Sequence, residues 1–168
     1  MMKVDFLKPL LIESVIFKDV FLRMDGSGIT SARGAGGGKV NCQTGIEPTG
    51  LFKVQQLKDG TFTFESVKYL GVFLRMDGSG IHSFTGAGGG HVNCQFGAGA
   101  WERFKLDELY DGSYTIESVA FPNVFLRMTA ANPDQKKEDF GIINCQYGAS
   151  SCEKFYLSNL PEIWNLKK

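Results

Sequence analysis

The feature that most constrains this chain is that it is written three times. "ESV" begins at 13, 65 and 117, "VFLRM" ends at Met24, Met76 and Met128, and "NCQ" begins at 41, 93 and 144. A phenylalanine follows each unit's cysteine, at 52, 104 and 155. Residues 13–43 and 65–95 agree at 23 of 31 positions. A period near 52 residues means one supersecondary unit repeated, each copy too small to bury its own apolar face. Whatever the fold is, it brings three such units together.

Each unit reads as four short strands. In the second they fall at about 61–68, 72–77, 91–95 and 102–109. Strict alternation in "TFTFESV" and "VFLRM" is the two-residue period of a strand with one face buried, so Val72, Leu74 and Met76 share a face. Asp-Gly at 59–60 and 111–112 lies between apolar runs and predicts hairpin turns. No segment has helical periodicity of any length. Three units with no capping repeats argue against a solenoid, and a propeller needs at least four blades. The expectation is one all-β domain over 1–168, a β-trefoil of three four-stranded repeats at about 10–57, 61–109 and 113–160. "LLIESV" near the N-terminus would then pair with "KFYLSNL" near the C-terminus to close a barrel.

A chain of 168 residues is long enough for such a core. Eighteen basic residues balance eighteen acidic ones, so no global field draws it to nucleic acid or to an anionic membrane. No stretch is long and apolar enough for a membrane-spanning helix. "MMKVDFLKPLLIESV" has no uninterrupted apolar region and no small-residue cleavage site, which predicts a cytoplasmic protein for which any export would take a nonclassical route. Cys42, Cys94 and Cys145 each share a strand face with the apolar residue two positions before them, and this favours buried, reduced thiols over a disulfide framework.

"GAGGGHVNCQFGAGAWERFKL" (86–106) resembles the repeat of fascin-like, or actin-crosslinking-like, β-trefoil modules. In those repeats a glycine run leads into Val-Asn, a small residue, a Gly-containing turn and then Trp-Glu-x-Phe-x-Leu. "ESV…FLRM" is also similar to the arabinose-binding β-trefoil repeat. The resemblance covers about 10 to 160 and is strongest in the second unit. The first unit lacks the Trp-Glu pair, and the third has "SSCEKFYL" and no glycine run. It implies the β-trefoil fold, and relatives that include actin-bundling proteins and sugar-binding modules.

Comparison of the units with each other separates fold from candidate site. Arg23, Arg75 and Arg127 occur in all three and are expected to pair across strands with Glu13, Glu65 and Glu117. Asn41, Asn93 and Asn144 are expected to tie loops through local backbone hydrogen bonds. Gln43, Gln95 and Gln146 could do the same or face a ligand. The glycine runs Gly36, Gly37, Gly38 and Gly88, Gly89, Gly90 occur only in units one and two, each after an aspartate, Asp25 or Asp77, that Thr129 replaces in the third. Such a cluster serves either a tight loop or the close approach of a ligand to bare backbone. A carboxylate beside exposed amides suits a vicinal diol, with Phe84 or Trp101 as an apolar wall for a sugar face.

A nucleotide reading of "GAGGGKV" fails, because valine stands where a phosphate loop needs Ser or Thr and no helix follows. His82 and His91 without a third ligand make a poor metal site. No nucleophile–base–orienter set is visible, so neither catalysis nor a cofactor is expected. The charged stretch at 129–141 reads as a solvated surface turn. The functional expectation is a lectin-like, carbohydrate-binding protein with two related shallow sites, built from Asp25, Gly36, Gly37, Gly38 and Gln43, and from Asp77, Gly88, Gly89, Gly90, Gln95, Phe84 and Trp101. Its partner would be a glycan, multivalent for best effect. The alternative is an actin-binding, fascin-like protein.

Overall fold

The computed structural model describes residues 3–130 and 141–161. Twelve strands fall into three sets of four. They are β1 (Leu10–Ser14), β2 (Val20–Asp25), β3 (Lys39–Thr44) and β4 (Phe52–Gln56); β5 (Phe62–Ser66), β6 (Val72–Asp77), β7 (His91–Phe96) and β8 (Phe104–Glu108); β9 (Tyr114–Ser118), β10 (Val124–Ala130), β11 (Gly141–Tyr147) and β12 (Phe155–Asn159). The four strands expected in the second unit are all present, within two residues of their expected ends. The only helical turns among the described residues are single 3-10 turns before β4, β8 and β12.

The first and last strands of each set form a closed ring. β1 pairs with β12 over Leu10↔Asn159 to Ser14↔Phe155, the closure expected from the sequence. β4 pairs with β5 and β8 with β9, each over five residues. Within each set a single antiparallel contact completes the circuit: Leu10↔Phe52, Phe62↔Phe104 and Tyr114↔Phe155. The middle strands make three hairpins, β2–β3, β6–β7 and β10–β11, which close one end of the barrel. Closure of this kind removes unpaired sheet edges.

The core is built in threefold sets, because equivalent positions of the repeat face the same axis. Leu22, Leu74 and Leu126, then Met24, Met76 and Met128, then Phe52, Phe104 and Phe155 are all fully buried. Alternation predicts this set directly. The Asp-Gly turns form as expected: Leu57 N–H donates to Thr61 O at 2.7 Å, and Leu109 N–H to Ser113 O at 2.7 Å.

The expected Arg–Glu pairs across strands do not form. Register puts Glu13 opposite Phe21, Glu65 opposite Phe73 and Glu117 opposite Phe125, two residues short of each arginine and close to the turn. Each glutamate instead accepts from the turn's backbone: Asp19 N–H at 2.8 Å, Gly71 N–H at 2.7 Å and Asn123 N–H at 2.8 Å. Those three residues have φ of +62°, +81° and +67°. Glycine, asparagine and aspartate tolerate this region best, so three different residues satisfy one backbone demand.

The four cysteines are free thiols, three of them buried. Burial pushes Cys42, Cys94 and Cys145 up to about 12. A thiol reacts as its thiolate. Native protein at mildly alkaline pH is therefore expected to react with Ellman's reagent at no more than one thiol, half-buried Cys152, and at all four once unfolded. Rapid labelling of a second thiol in the native state would show that the hairpin end of the barrel opens.

Candidate functional site

The glycine loops of units one and two lie against the following unit. The loop after β2 rests on β6 and β7, where Gly37 N–H donates to Cys94 O at 2.8 Å and Cys94 N–H returns to Gly37 O at 2.8 Å. Around this bridge, three side chains of the receiving unit capture the loop's backbone. Arg75 donates to Gly34 O at 3.3 Å, and the Asn93 amide donates to Ala35 O at 2.9 Å. Gln95 accepts from Arg33 N–H at 2.9 Å and donates to Arg33 O.

The next seam repeats the pattern. Gly89 and Cys145 exchange backbone bonds at 2.9 and 2.7 Å. Arg127 donates to Gly86 O at 3.1 Å, Asn144 donates to Ala87 O at 2.9 Å, and Gln146 brackets the backbone of Thr85. At the third seam Gly141 pairs with Cys42, and the Cys42 thiol donates to Thr129 O at 3.8 Å. Residues 131–140, and with them most of the charged stretch at 129–141, lie outside the described residues.

This geometry corrects two expectations. Asn93 and Asn144 tie loops, but those of the preceding unit, 57 or 58 residues away in the chain. The central amides of the glycine runs, Gly37 and Gly89, are committed to the neighbouring strand and do not offer themselves to a ligand. The glycines are needed because the approach leaves no room: a Cβ on Gly36 would lie 2.5 Å from Cys94 O, and one on Gly88 2.6 Å from Cys145 O. Gly38 and Gly90 sit equally close to the carbonyls of Asp25 and Asp77. Gln95 and Gln43 are almost fully buried, Gln95 in the seam.

Asp25 and Asp77 are placed differently. Each ends a strand, is half-buried, and is fixed by the serine two residues on. The Ser79 N–H and hydroxyl reach Asp77 Oδ1 at 3.0 and 2.6 Å, and Ser27 N–H reaches Asp25 Oδ1 at 3.0 Å. The Ser27 hydroxyl and amide bonds, helped by Arg23 and the Tyr69 hydroxyl, hold Asp25 below the usual carboxylate value. The Ser79 hydroxyl leads the same effect on Asp77, with Arg75 and His91 adding to it. The residue after each aspartate packs on the following unit, Gly26 against Val72 and the Cβ of Tyr69 and Gly78 against Val124 and Phe121. Lys39 stands opposite Asp25, and His91 opposite Asp77.

Phe84 is 63% exposed on the second loop. Trp101 is half-buried: its ring meets Phe121 edge-on at 5.3 Å and carries the Arg75 guanidinium on its face at 4.6 Å. The structure thus gathers Asp77, Phe121, Trp101 and Arg75 in one neighbourhood. Phe121 and Tyr69 were missed by sequence reasoning. The signal for them was an aromatic at the same place in every unit, Phe17, Tyr69 and Phe121.

Neither a family model nor a curated protein sequence matches the chain. Solved structures do. A designed threefold-symmetric protein, ThreeFoil, superposes with a TM-score of 0.67 at 14% identity, covering 93% of this chain and 100% of that one. The chain is a β-trefoil. A ricin B-like lectin of Macrolepiota procera, solved in complex with lactose, gives 0.64 at 10% identity, with 95% and 100% of the two chains covered. A mosquitocidal holotoxin matches with 0.69 at 10% identity over 96% of this trefoil, which spans only 18% of the toxin's length.

Proposed function

We propose that this trefoil is a carbohydrate-binding, lectin-like protein with two related shallow sites, one at Asp25 and one at Asp77. The observation that carries the reading is a pre-ordered, ionised, half-exposed carboxylate repeated in two units, each followed by a glycine packed against an aromatic residue of the next unit. A carboxylate fixed in this way accepts hydrogen bonds from two neighbouring hydroxyls of a sugar. An aromatic face covers the sugar's C–H surface. In the second site Phe84 is the exposed ring, and Trp101 buttresses Phe121. The glycine and glutamine positions support the loops from behind. That a fold neighbour is a lectin in complex with lactose agrees with this reading.

Affinity per site is expected to be weak, since a shallow polar site displaces well-bound water and buries little area. Two sites on one domain recover strength on a multivalent glycan. The test is a glycan array probed with the parent protein and with an Asp25→Ala/Asp77→Ala variant whose fold is verified by circular dichroism. Sugar-selective signal lost in the folded variant is the expected result. Because both carboxylates are held below the ordinary aspartate value of 3.8, binding should persist through mildly acidic pH and fall only below that value, as protonation removes the acceptors. A blank array together with co-sedimentation on actin filaments would overturn the reading in favour of the fascin-like alternative.

A further inference from the structure

The segment before β1 is held on the end of β12 by one side chain. Asn159 accepts from Asp5 N–H at 2.8 Å and donates to Asp5 O at 2.8 Å and to Pro9 O at 3.3 Å. The Phe6 ring lies on Phe62, with centroids 5.9 Å apart. Beside it opens a cleft of about 690 Å³, within the range of small-molecule sites. Its wall includes Leu7, Pro9, Val54, Val67 and Leu70.

Two properties set this cleft apart. Leu7 is 97% exposed, Leu70 77% and Val67 36%, so apolar side chains that the barrel does not use are gathered in one place. The charged side chains lining it are both cationic, Lys8 and Lys53, joined by the amides of Gln55 and Gln56. Lys8 is already paired with Asp5 at 3.9 Å, whereas Glu65, opposite Lys53 in the ladder, is engaged by Gly71 N–H, which leaves Lys53 as the cation for an incoming anion. In a chain of zero formal net charge, an apolar cleft whose lining carries lysine and no carboxylate of its own selects for an apolar anion.

We propose that this cleft binds a free, single-chain aliphatic carboxylate of the medium-chain fatty acid class. The chain lies against Leu7, Val67 and Leu70, and the carboxylate meets Lys53. The site is separate from Asp25 and Asp77 and does not rest on the lectin reading.

The experiment is isothermal titration of the full-length protein with dodecanoate below its micelle concentration. Dodecanol and dodecyltrimethylammonium serve as uncharged and cationic controls. Dodecanoate is expected to bind one to one and both controls at least tenfold more weakly. Leu70→Asp should weaken dodecanoate binding tenfold or more, and Lys53→Gln should erase its advantage over dodecanol. Both positions are exposed, so the variants should fold, and Leu70→Ser serves if the aspartate does not. The Asp25→Ala/Asp77→Ala variant should bind dodecanoate as the parent does, which separates failure here from failure of the lectin reading. Equal binding of the cationic amphiphile, indifference to Leu70→Asp, or binding to dodecanoate-containing vesicles without binding to the monomer would overturn the proposal. So would a dimer in sedimentation that Leu70→Asp dissociates, which would assign the cleft to a second copy of this chain.

Discussion

Gly36→Ala should destabilise the protein by about 3–5 kcal/mol, against about 1 kcal/mol for Gly28→Ala in the same loop. Both residues have positive φ, +66° and +78°, so both lose the backbone freedom that only glycine has there. They differ in what a methyl group would meet. Around Gly28 there is nothing within 4 Å, whereas at Gly36 the new Cβ would stand 2.5 Å from Cys94 O and 2.8 Å from the Arg75 side chain. The Cys94 carbonyl cannot withdraw, because it accepts from Gly37 N–H, and the strand carrying it is paired along its length with β6. Relief requires the loop to lift off, and with it go the bonds from Arg75, Asn93 and Gln95. Urea denaturation of both variants measures the difference. Equal midpoints would show that the seam adds nothing to stability and that the glycines serve the turn alone.

Most of the fold was legible because it rests on features that repeat. The period of 52, the alternation in "VFLRM" and the two Asp-Gly turns place the strands and their buried faces, and twelve strands in three sets leave few ways to close a barrel. The seams were not legible, because they join residues 61 or 62 apart at the first two and 87 apart at the third through loop backbone, and no side-chain pattern marks a carbonyl as an acceptor. The Arg–Glu pairing failed for a related reason. Opposite charges on adjacent strands suggest a pair, but register decides which residues face each other, and here it sends the glutamates to the turns and Arg75 and Arg127 to the preceding unit's loop. Comparing units by residue type also misassigned the glycine runs. A loop present in units one and two suggests a site in those units, whereas its contacts are with strands of units two and three. The aspartates, replaced by Thr129 in unit three, join the seams only through their backbone, where Asp25 O and Asp77 O accept from the Cys94 and Cys145 thiols at 3.7 Å, and their carboxylates bond serines of their own loop instead.

Arg75→Met tests that seam from the receiving side, with an expected loss of about 3–5 kcal/mol, the scale for removing one member of a buried charged network. Arg75 is 3% exposed, and its guanidinium bonds Asn93 Oδ1 at 3.1 Å, bonds Gly34 O and lies on Trp101. It also offsets part of the cost of the buried Glu102 carboxylate. Methionine fills much of the space but leaves that carboxylate without its cation, so the loss exceeds that of a hydrogen bond alone. Acidity supplies a signature that a packing defect would not. Burial already raises Glu102 above its ordinary value of 4.5, and removal of Arg75 raises it further. A carboxyl whose folded value is raised holds its proton more readily in the folded state than in the unfolded one. Stability therefore improves as pH falls from the folded value to the unfolded value, and the improvement is complete below the latter. The Arg75→Met variant should recover part of its deficit on acidification to that range, and the double variant with Glu102→Gln should recover part of it at neutral pH. If the deficit is the same at both pH values and Glu102→Gln does not reduce it, Arg75 acts only as a strut for the loop, and the buried carboxylate is held by the Gly99 amide instead.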